Sequence, residues 1–178
     1  MWNIRTSVPE DIPAQRQLWQ LAFGDEDAYI DNFCRTYYRP ERVIVLEEGG
    51  AVRSMSAWFD TVFRVPGQDF RAAYLYAVAT HPDCRGRGMS GALLAWADGY
   101  FKSRAIPAVT TVPAQPSLHE FFGANGFREC FVLTQRELVQ LPPRREDVAL
   151  RPLSPEEYGA LRDRLLEQTG QPYISYPE

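Results

Sequence analysis

Apolar residues along the chain switch repeatedly between the period of a strand and the period of a helix. Ile4-Arg5-Thr6 reads as a short strand. Ser7-Val8-Pro9-Glu10 follows with capping-box spacing and a proline suited to a first helical turn, which predicts a helix over 9–22. Gly24 breaks it, and Ala28, Tyr29, Phe33 and Tyr37 recur at helical spacing, predicting a second helix over 25–38 that Pro40 closes. Val43-Ile44-Val45-Leu46 is a continuous run rich in β-branched residues, and Gly49-Gly50 offers a hairpin turn into a strand over 51–59. Past the turn at Pro66-Gly67, residues 70–80 read as a long strand that stops at His81-Pro82. Met89, Leu93, Trp96, Ala97 and Tyr100 form the inward stripe of a helix over 89–104. A fifth strand over 107–112, a short helix over 117–124 and a last long strand over 127–138 complete the pattern. The order β-α-α-β-β-β-α-β-α-β predicts a mixed α/β fold whose front half is antiparallel.

Pro142-Pro143-Arg144-Arg145-Glu146-Asp147 is a stiff, charged connector. Beyond it, Leu150-Arg151-Pro152-Leu153 and Ser154-Pro155-Glu156-Glu157 read again as a strand and a helix start. Shifting the N-terminus by 146 positions pairs Arg5 with Arg151, Pro9 with Pro155, Glu10 with Glu156, Ala14 with Ala160 and Arg16 with Arg162. Fixed-offset similarity is the mark of a repeated supersecondary unit, although any strand, cap and helix start draws on the same residue types. The division expected is a domain over 1–140, a linker over 141–148, and over 149–178 the start of a second unit that is incomplete in this chain.

Composition narrows the function classes. The chain has 178 residues, 45% hydrophobic and 24% charged, as in a soluble globular domain with one sizeable core. Lys plus Arg number 19 against 23 Asp plus Glu, a net charge of -4, which argues against nucleic acid as a partner. No apolar run approaches the length of a membrane span, and the N-terminus has no secretory pattern. Cys34, Cys84 and Cys130 lie far apart without CxxC spacing, which argues against a disulfide framework or a metal site and fits a reducing cytoplasm.

The strongest local signal is Val78-Ala79-Thr80-His81-Pro82-Asp83-Cys84-Arg85-Gly86-Arg87-Gly88-Met89-Ser90-Gly91, which joins the long strand to a helix. Glycines free backbone N–H groups and allow close approach, the helix start adds its positive end, and Arg85 and Arg87 add charge, so the loop is a cradle for phosphate or pyrophosphate. Gly86 to Gly91 also matches G-x-G-x-x-G. A dinucleotide fold, however, needs an acidic residue after the next strand, where this chain has Thr110-Thr111-Val112, and the glycines would have to open a βαβ unit.

Arg85, Gly88 and Ser90 fall on the R/Q-x-x-G-x-G/A signature of the GNAT N-acetyltransferases, with Ser90 in place of the usual Gly or Ala and Gly91 directly after. Together with the element order and Phe121-Phe122-Gly123-Ala124-Asn125-Gly126-Phe127, residues 1–138 resemble that family. The resemblance implies the GNAT acyl-CoA N-acyltransferase fold, a mixed, mostly antiparallel central sheet flanked by helices. It implies an enzyme that moves an acetyl group from acetyl-CoA, as cosubstrate, to a primary amine of a small molecule or peptide by direct attack on the thioester. It further implies that Val78 and Thr80 pair with pantetheine, and that Arg85, Gly86, Arg87, Gly88, Met89, Ser90 and Gly91 take the pyrophosphate. Gln115 and Ser117 would stand near the pantetheine arm, Ser117 alternatively capping its helix with Glu120.

The family's general acid is often a tyrosine five residues before the Phe of the G-F pair. That position is Phe122 here, which has no proton to give. Tyr76 and His119 are then the candidates for protonating the leaving thiolate, and restoring a tyrosine at 122 the matching test. The missing acid also motivates the alternative of a catalytically silent acyl-CoA-binding or regulatory module. More narrowly, Val78-Ala79-Thr80-His81-Pro82-Asp83, a Ser before the short helix and the apparent second unit together resemble the enhanced-intracellular-survival type of acetyltransferase, built from tandem GNAT-like units. The acceptor amine and the general base are not specified by any motif, and an oligomer is compatible with everything above.

Overall fold

The computed structural model describes residues 1–130, 137 and 149–177. One sheet runs in the order β1 (Asn3–Thr6), β2 (Val43–Glu48), β3 (Ala51–Val65), β4 (Gln68–Thr80) and β5 (Ala108–Thr110), and β6 (Tyr173–Ser175) is added to the outer half of β3. Every pairing is antiparallel except that of β4 with β5. The helices are α1 (Ile12–Phe23), α2 (Asp27–Thr36), α3 (Met89–Ser103), α4 (Ser117–Ala124) and α5 (Pro155–Glu167). Among the described residues, no helix is long and apolar enough to cross a membrane.

The continuous apolar run of β2 is explained by burial on both faces of the sheet, since successive side chains of a strand point opposite ways. Val43 and Val45 pack with Leu18, Trp19, Ile30 and Phe33 of α1 and α2. Ile44 and Leu46 pack on the other face with Met89, Leu93, Ala97 and Phe101 of α3 and with Phe122 of α4. Met89, Leu93 and Ala97 of the expected α3 stripe are fully buried, whereas Trp96 and Tyr100 cover its edge and stack on one another. β4 follows the same alternation: Ala73 and Leu75 face α3, and Tyr76 faces α1 and α2.

Several sequence expectations need correction. The strands of the central hairpin extend beyond β2, because their outer halves pair with each other and with β6. The expected strand over 150–153 does not form; Pro152 has no N–H to donate, and Leu150 stands 92% exposed. Tyr158 and Leu165 are likewise exposed rather than packed. β6, flanked by Pro172 and Pro177, was not anticipated. The connector over 142–147 lies outside the described residues, as does the expected strand over 127–138 except for residues 127–130 and 137, which are not in a strand.

The first helical turn also closes differently from its capping-box reading. The acid that reaches back is Asp11, not Glu10: its carboxylate accepts from the Val8 backbone N–H at 2.9 Å and from both terminal nitrogens of Arg5 at 2.7 and 3.0 Å. Ser7 instead bonds Tyr38 and Gln15 below the turn. Asp11 is buried, and the Arg5 guanidinium holds its carboxyl below the usual carboxylate range. A lowered folded-state value means stability that is present above the unfolded value near ~4 and lost as pH falls through the folded one. Asp11→Asn is therefore expected to cost about 2 kcal/mol at pH 7, and denaturant titrations should show the gap to wild type closing below about pH 4.

Candidate active site

Along β4, the register with β3 slips once. Met55 lies opposite Ala79 and Ala57 opposite Tyr76, so Ala77 and Val78 together face the single residue Ser56. This β-bulge puts Ala77 at φ 51°, the left-handed region that an L-residue occupies only when its surroundings force it, and such strain concentrates at functional sites. On its other edge β4 pairs with β5 only over Ala72–Tyr74, opposite Ala108–Thr110. From Leu75 to Thr80 that edge carries no strand among the described residues. The Thr111 hydroxyl donates to the Leu75 carbonyl at 3.3 Å just where the strands part. The Thr110 hydroxyl beside it is buried with no hydrogen-bond partner among the described residues. An open strand edge next to an orphaned buried hydroxyl suits an extended, amide-bearing ligand that adds itself to the sheet.

The loop after β4 continues this edge. A hydroxyl relay runs from Ser54 to Thr80 at 2.8 Å and from Thr80 to Ser90 at 2.6 Å, tying the strand end to the first turn of α3. His81 caps the short 3-10 turn that follows, accepting from the Asp83 backbone N–H at 3.3 Å, so its role is structural. Gly88 is the N-cap of α3 with φ 79° and supplies no capping side chain, so the first N–H groups of the helix stay available to a ligand anion. Gly91 meets Asn125 of α4 closely: a Cβ there would lie 3.1 Å from the Asn125 side-chain oxygen. The two arginines are not equally free. Arg87 donates to both oxygens of Glu48 at 2.6 and 2.9 Å, and Arg85 leans on the Thr80 carbonyl at 3.4 Å. The start of α3 thus offers uncapped backbone N–H groups, while Arg87 is already held by a carboxylate.

Tyr76 and the α4 residues lie on opposite faces of the sheet. Tyr76 sits among Trp19, Phe33 and Phe59, its hydroxyl 2.6 Å from that of Tyr29 on α2. Burial, with Tyr29 and the nearby Asp25, pushes the Tyr76 phenol well above its ordinary value, so it stays protonated and is a donor rather than a base. Phe122 is 6% exposed and packs edge-on between Phe121 and Phe127. His119, one turn away, is exposed with its Nδ1 2.8 Å from Glu129. The structure does not bring Tyr76 and His119 together. Gln115 precedes α4, its carbonyl accepting from the Leu118 N–H at 3.0 Å. Ser117 occupies the first turn, while the N-cap is Pro116, so the Ser117–Glu120 capping box does not form.

Sequence reasoning missed the bulge at Ala77, the orphaned Thr110 hydroxyl and the pairing of Tyr29 with Tyr76. No local pattern marks any of them, because each depends on how two strands diverge or on which helix lies over β4. The one available hint was the tyrosine pair Tyr74 and Tyr76 on one strand face.

The sequence profile of the acetyltransferase (GNAT) domain matches residues 3–127. No curated protein matches the chain. Among solved structures, a GCN5-related N-acetyltransferase from Anabaena variabilis is similar with TM-score 0.62 at 19% identity, covering 68% of this chain and 31% of that one. Aminoglycoside N-acetyltransferase AAC(6')-Iy, crystallised with CoA, is similar with TM-score 0.63 at 15% identity over 79% of this chain and 96% of that one. Glucosamine-6-phosphate N-acetyltransferase from Arabidopsis thaliana is similar with TM-score 0.55 at 16% identity over 77% and 98%. At these identities the solved structures bear on the fold, which is the mixed α/β sheet described above. With 125 consecutive residues matched by the profile, the chain belongs to the GNAT acetyltransferase family, whose cosubstrate is acetyl-CoA, and it spans about a third of the length of the Anabaena protein.

Proposed function

We propose that the protein moves an acetyl group from acetyl-CoA to a primary amine of a small molecule or peptide by direct attack on the thioester. The observation that carries this reading is the β4 edge from Leu75 to Thr80, which pairs with no strand among the described residues, is bulged at Ala77 and runs into the N–H groups at the start of α3. Backbone groups of Val78 and Thr80 pair with the pantetheine arm. The N–H groups of residues 85–91 hold the pyrophosphate, and Gln115 and Ser117 stand beside the arm from α4. An N–H freed by the bulge polarises the thioester carbonyl, as preorganised donors do where negative charge develops. A neutral amine nitrogen forms the new C–N bond as the C–S bond breaks. Tyr76 gives its proton to the leaving sulfur and recovers one, through Tyr29 or solvent, from the nitrogen that has become cationic.

The alternative, a silent acyl-CoA-binding module, draws on Phe122 at the position where the family often has its acid. Calorimetric titration with acetyl-CoA followed by thiol release over an amine panel separates them. Steady thiol production that depends on the amine supports the transferase; tight binding without turnover supports the module.

We also propose the division 1–140, 141–148 and 149–178, the last being the start of a second GNAT-like unit of the tandem, enhanced-intracellular-survival type. In support, Arg151 donates to both oxygens of Glu157 at 3.0 and 3.1 Å, and Glu157 accepts from the Ser154 backbone N–H at 2.9 Å, repeating the Arg5–Asp11–Val8 arrangement at the same offset. Gly24 after α1 and Gly170 after α5 lie at that offset too, both with positive φ. The chain also spans about a third of the Anabaena protein and of a GCN5-related N-acetyltransferase from Kribbella flavida. Cys34, Cys84 and Cys130 as free thiols are in keeping with a cytoplasmic setting.

A further inference from the structure

We propose that the segment carrying α5 and β6, which lies outside the residues that match the family, walls the acceptor side, and that Tyr176 selects amines borne on a flat, apolar body. This rests on the acetyl-transfer reading above. The N–H groups at the start of α3, assigned above to the pyrophosphate, lie on one side of the sheet with Met89 and Leu93, and the acceptor is placed on the other, the side of Tyr76. That side is almost entirely aromatic. Tyr74 and Tyr76 stand 6.3 Å apart on β4, Phe59 stacks on Tyr74 at 6.3 Å, and Tyr29 closes over Tyr76. The ring of Tyr176, which follows β6 directly, meets Tyr74 edge-on at 6.1 Å. Tyr74 pairs with Thr110 at the last residue before β4 and β5 diverge, so Tyr176 stands at the mouth of that opening.

Tyr176 is fixed there rather than swinging on a tail. β6 pairs with β3 over Val62–Arg64, and the Ser175 hydroxyl bonds Asp163 of α5. The Arg162 guanidinium donates to the Ile174 carbonyl at 2.9 Å and lies 5.1 Å over the Tyr176 ring. Tyr29 is 51% and Tyr176 44% exposed, so two of the rings present aromatic surface to solvent while their neighbours are half-buried. Aromatic faces and edges reward a flat apolar body through stacking and burial, and reward an ammonium through the ring quadrupole. They offer little to a hydroxyl-rich acceptor beyond the phenol oxygens. One carboxylate stands near this side: Asp25, which accepts from the indole N–H of Trp19, itself packed edge-on against Tyr76, at 2.7 Å. An arylalkylamine, apolar ring plus one primary amine, matches this set.

The test uses the full chain with Tyr176→Ala and Tyr176→Phe. Acceptors are 2-phenylethylamine, the alkyl diamine putrescine and the amino sugar glucosamine, with KM read for acceptor and for acetyl-CoA. Wild type is expected to favour 2-phenylethylamine in kcat/KM. Tyr176→Ala should raise its acceptor KM by about 10-fold while the acetyl-CoA KM stays within about twofold, and Tyr176→Phe should stay close to wild type, since the ring and not the hydroxyl carries the effect. An unchanged KM for 2-phenylethylamine in Tyr176→Ala, or a wild-type preference for glucosamine, overturns the proposal. Should no amine release thiol, the transfer reading fails by itself, and calorimetric binding of 2-phenylethylamine in the presence of CoA decides this one: weakened by Tyr176→Ala if Tyr176 is part of the wall, unchanged if it is not.

Discussion

Tyr76→Phe is expected to lower kcat about 10²- to 10³-fold while leaving the acetyl-CoA KM within about twofold, the range that loss of a positioned general acid covers. The substitution keeps the ring, and with it the packing against Trp19, Phe33 and Phe59, so a loss of turnover reports the hydroxyl. Burial and the Tyr29 partner keep that hydroxyl protonated, so its proton is in place when the thiolate leaves. Tyr29→Phe removes the partner but not the donor and should cost less than Tyr76→Phe. The companion variant Phe122→Tyr is expected to bring no gain. Its new hydroxyl would enter a buried site between Phe121 and Phe127, where an unpaired polar group costs about 1–3 kcal/mol. Steady-state kinetics on the three variants with the best acceptor checks this. A gain in Phe122→Tyr with no loss in Tyr76→Phe would return the acid to α4.

Gly88→Val should weaken acetyl-CoA binding by about 10²-fold or more, through the backbone rather than through any lost contact. Gly88 sits at φ 79° as the N-cap of α3, a conformation in which a β-branched residue is strained by itself. Beyond its chain neighbours, a Cβ there meets nothing within 4 Å, so the fold has no steric objection. The strained turn therefore reorganises, misaiming the free N–H groups at the start of α3. Calorimetric titration measures the loss, with the thermal midpoint as the control for folding. Arg87→Ala should cost much less, because the Arg87 guanidinium already pairs with Glu48.

Legibility of the fold followed the length of each pattern. The α3 stripe, the double-faced β2 run and the glycine turns are local signals, and the structure realises each of them with small shifts at the ends. β6 and residues 60–65 of β3 were not legible, because β6 pairs with that part of β3 from more than a hundred residues away in sequence. The first-turn acid was misread by one residue: Glu10 has the nominal spacing from Ser7, but Val8 is the N-cap, so Asp11 is three residues on and faces Arg5. The candidate site divides in the same way. The glycines and serine of the 85–91 loop announce themselves in one stretch of sequence. The strained Ala77 and the Tyr29–Tyr76 pair arise only where a bulge turns β4 under α2, and an alanine or a tyrosine in a strand carries no local mark of that.

The central claim, that acetyl-CoA lies along the open β4 edge and the N–H groups that follow it, is tested most directly by amide hydrogen exchange of the full chain with and without saturating acetyl-CoA. The account predicts slowing of about tenfold or more at residues 77–80 and 85–91, with α1 unchanged. Binding that leaves those amides as they were, or that protects a different stretch of the chain instead, would contradict it.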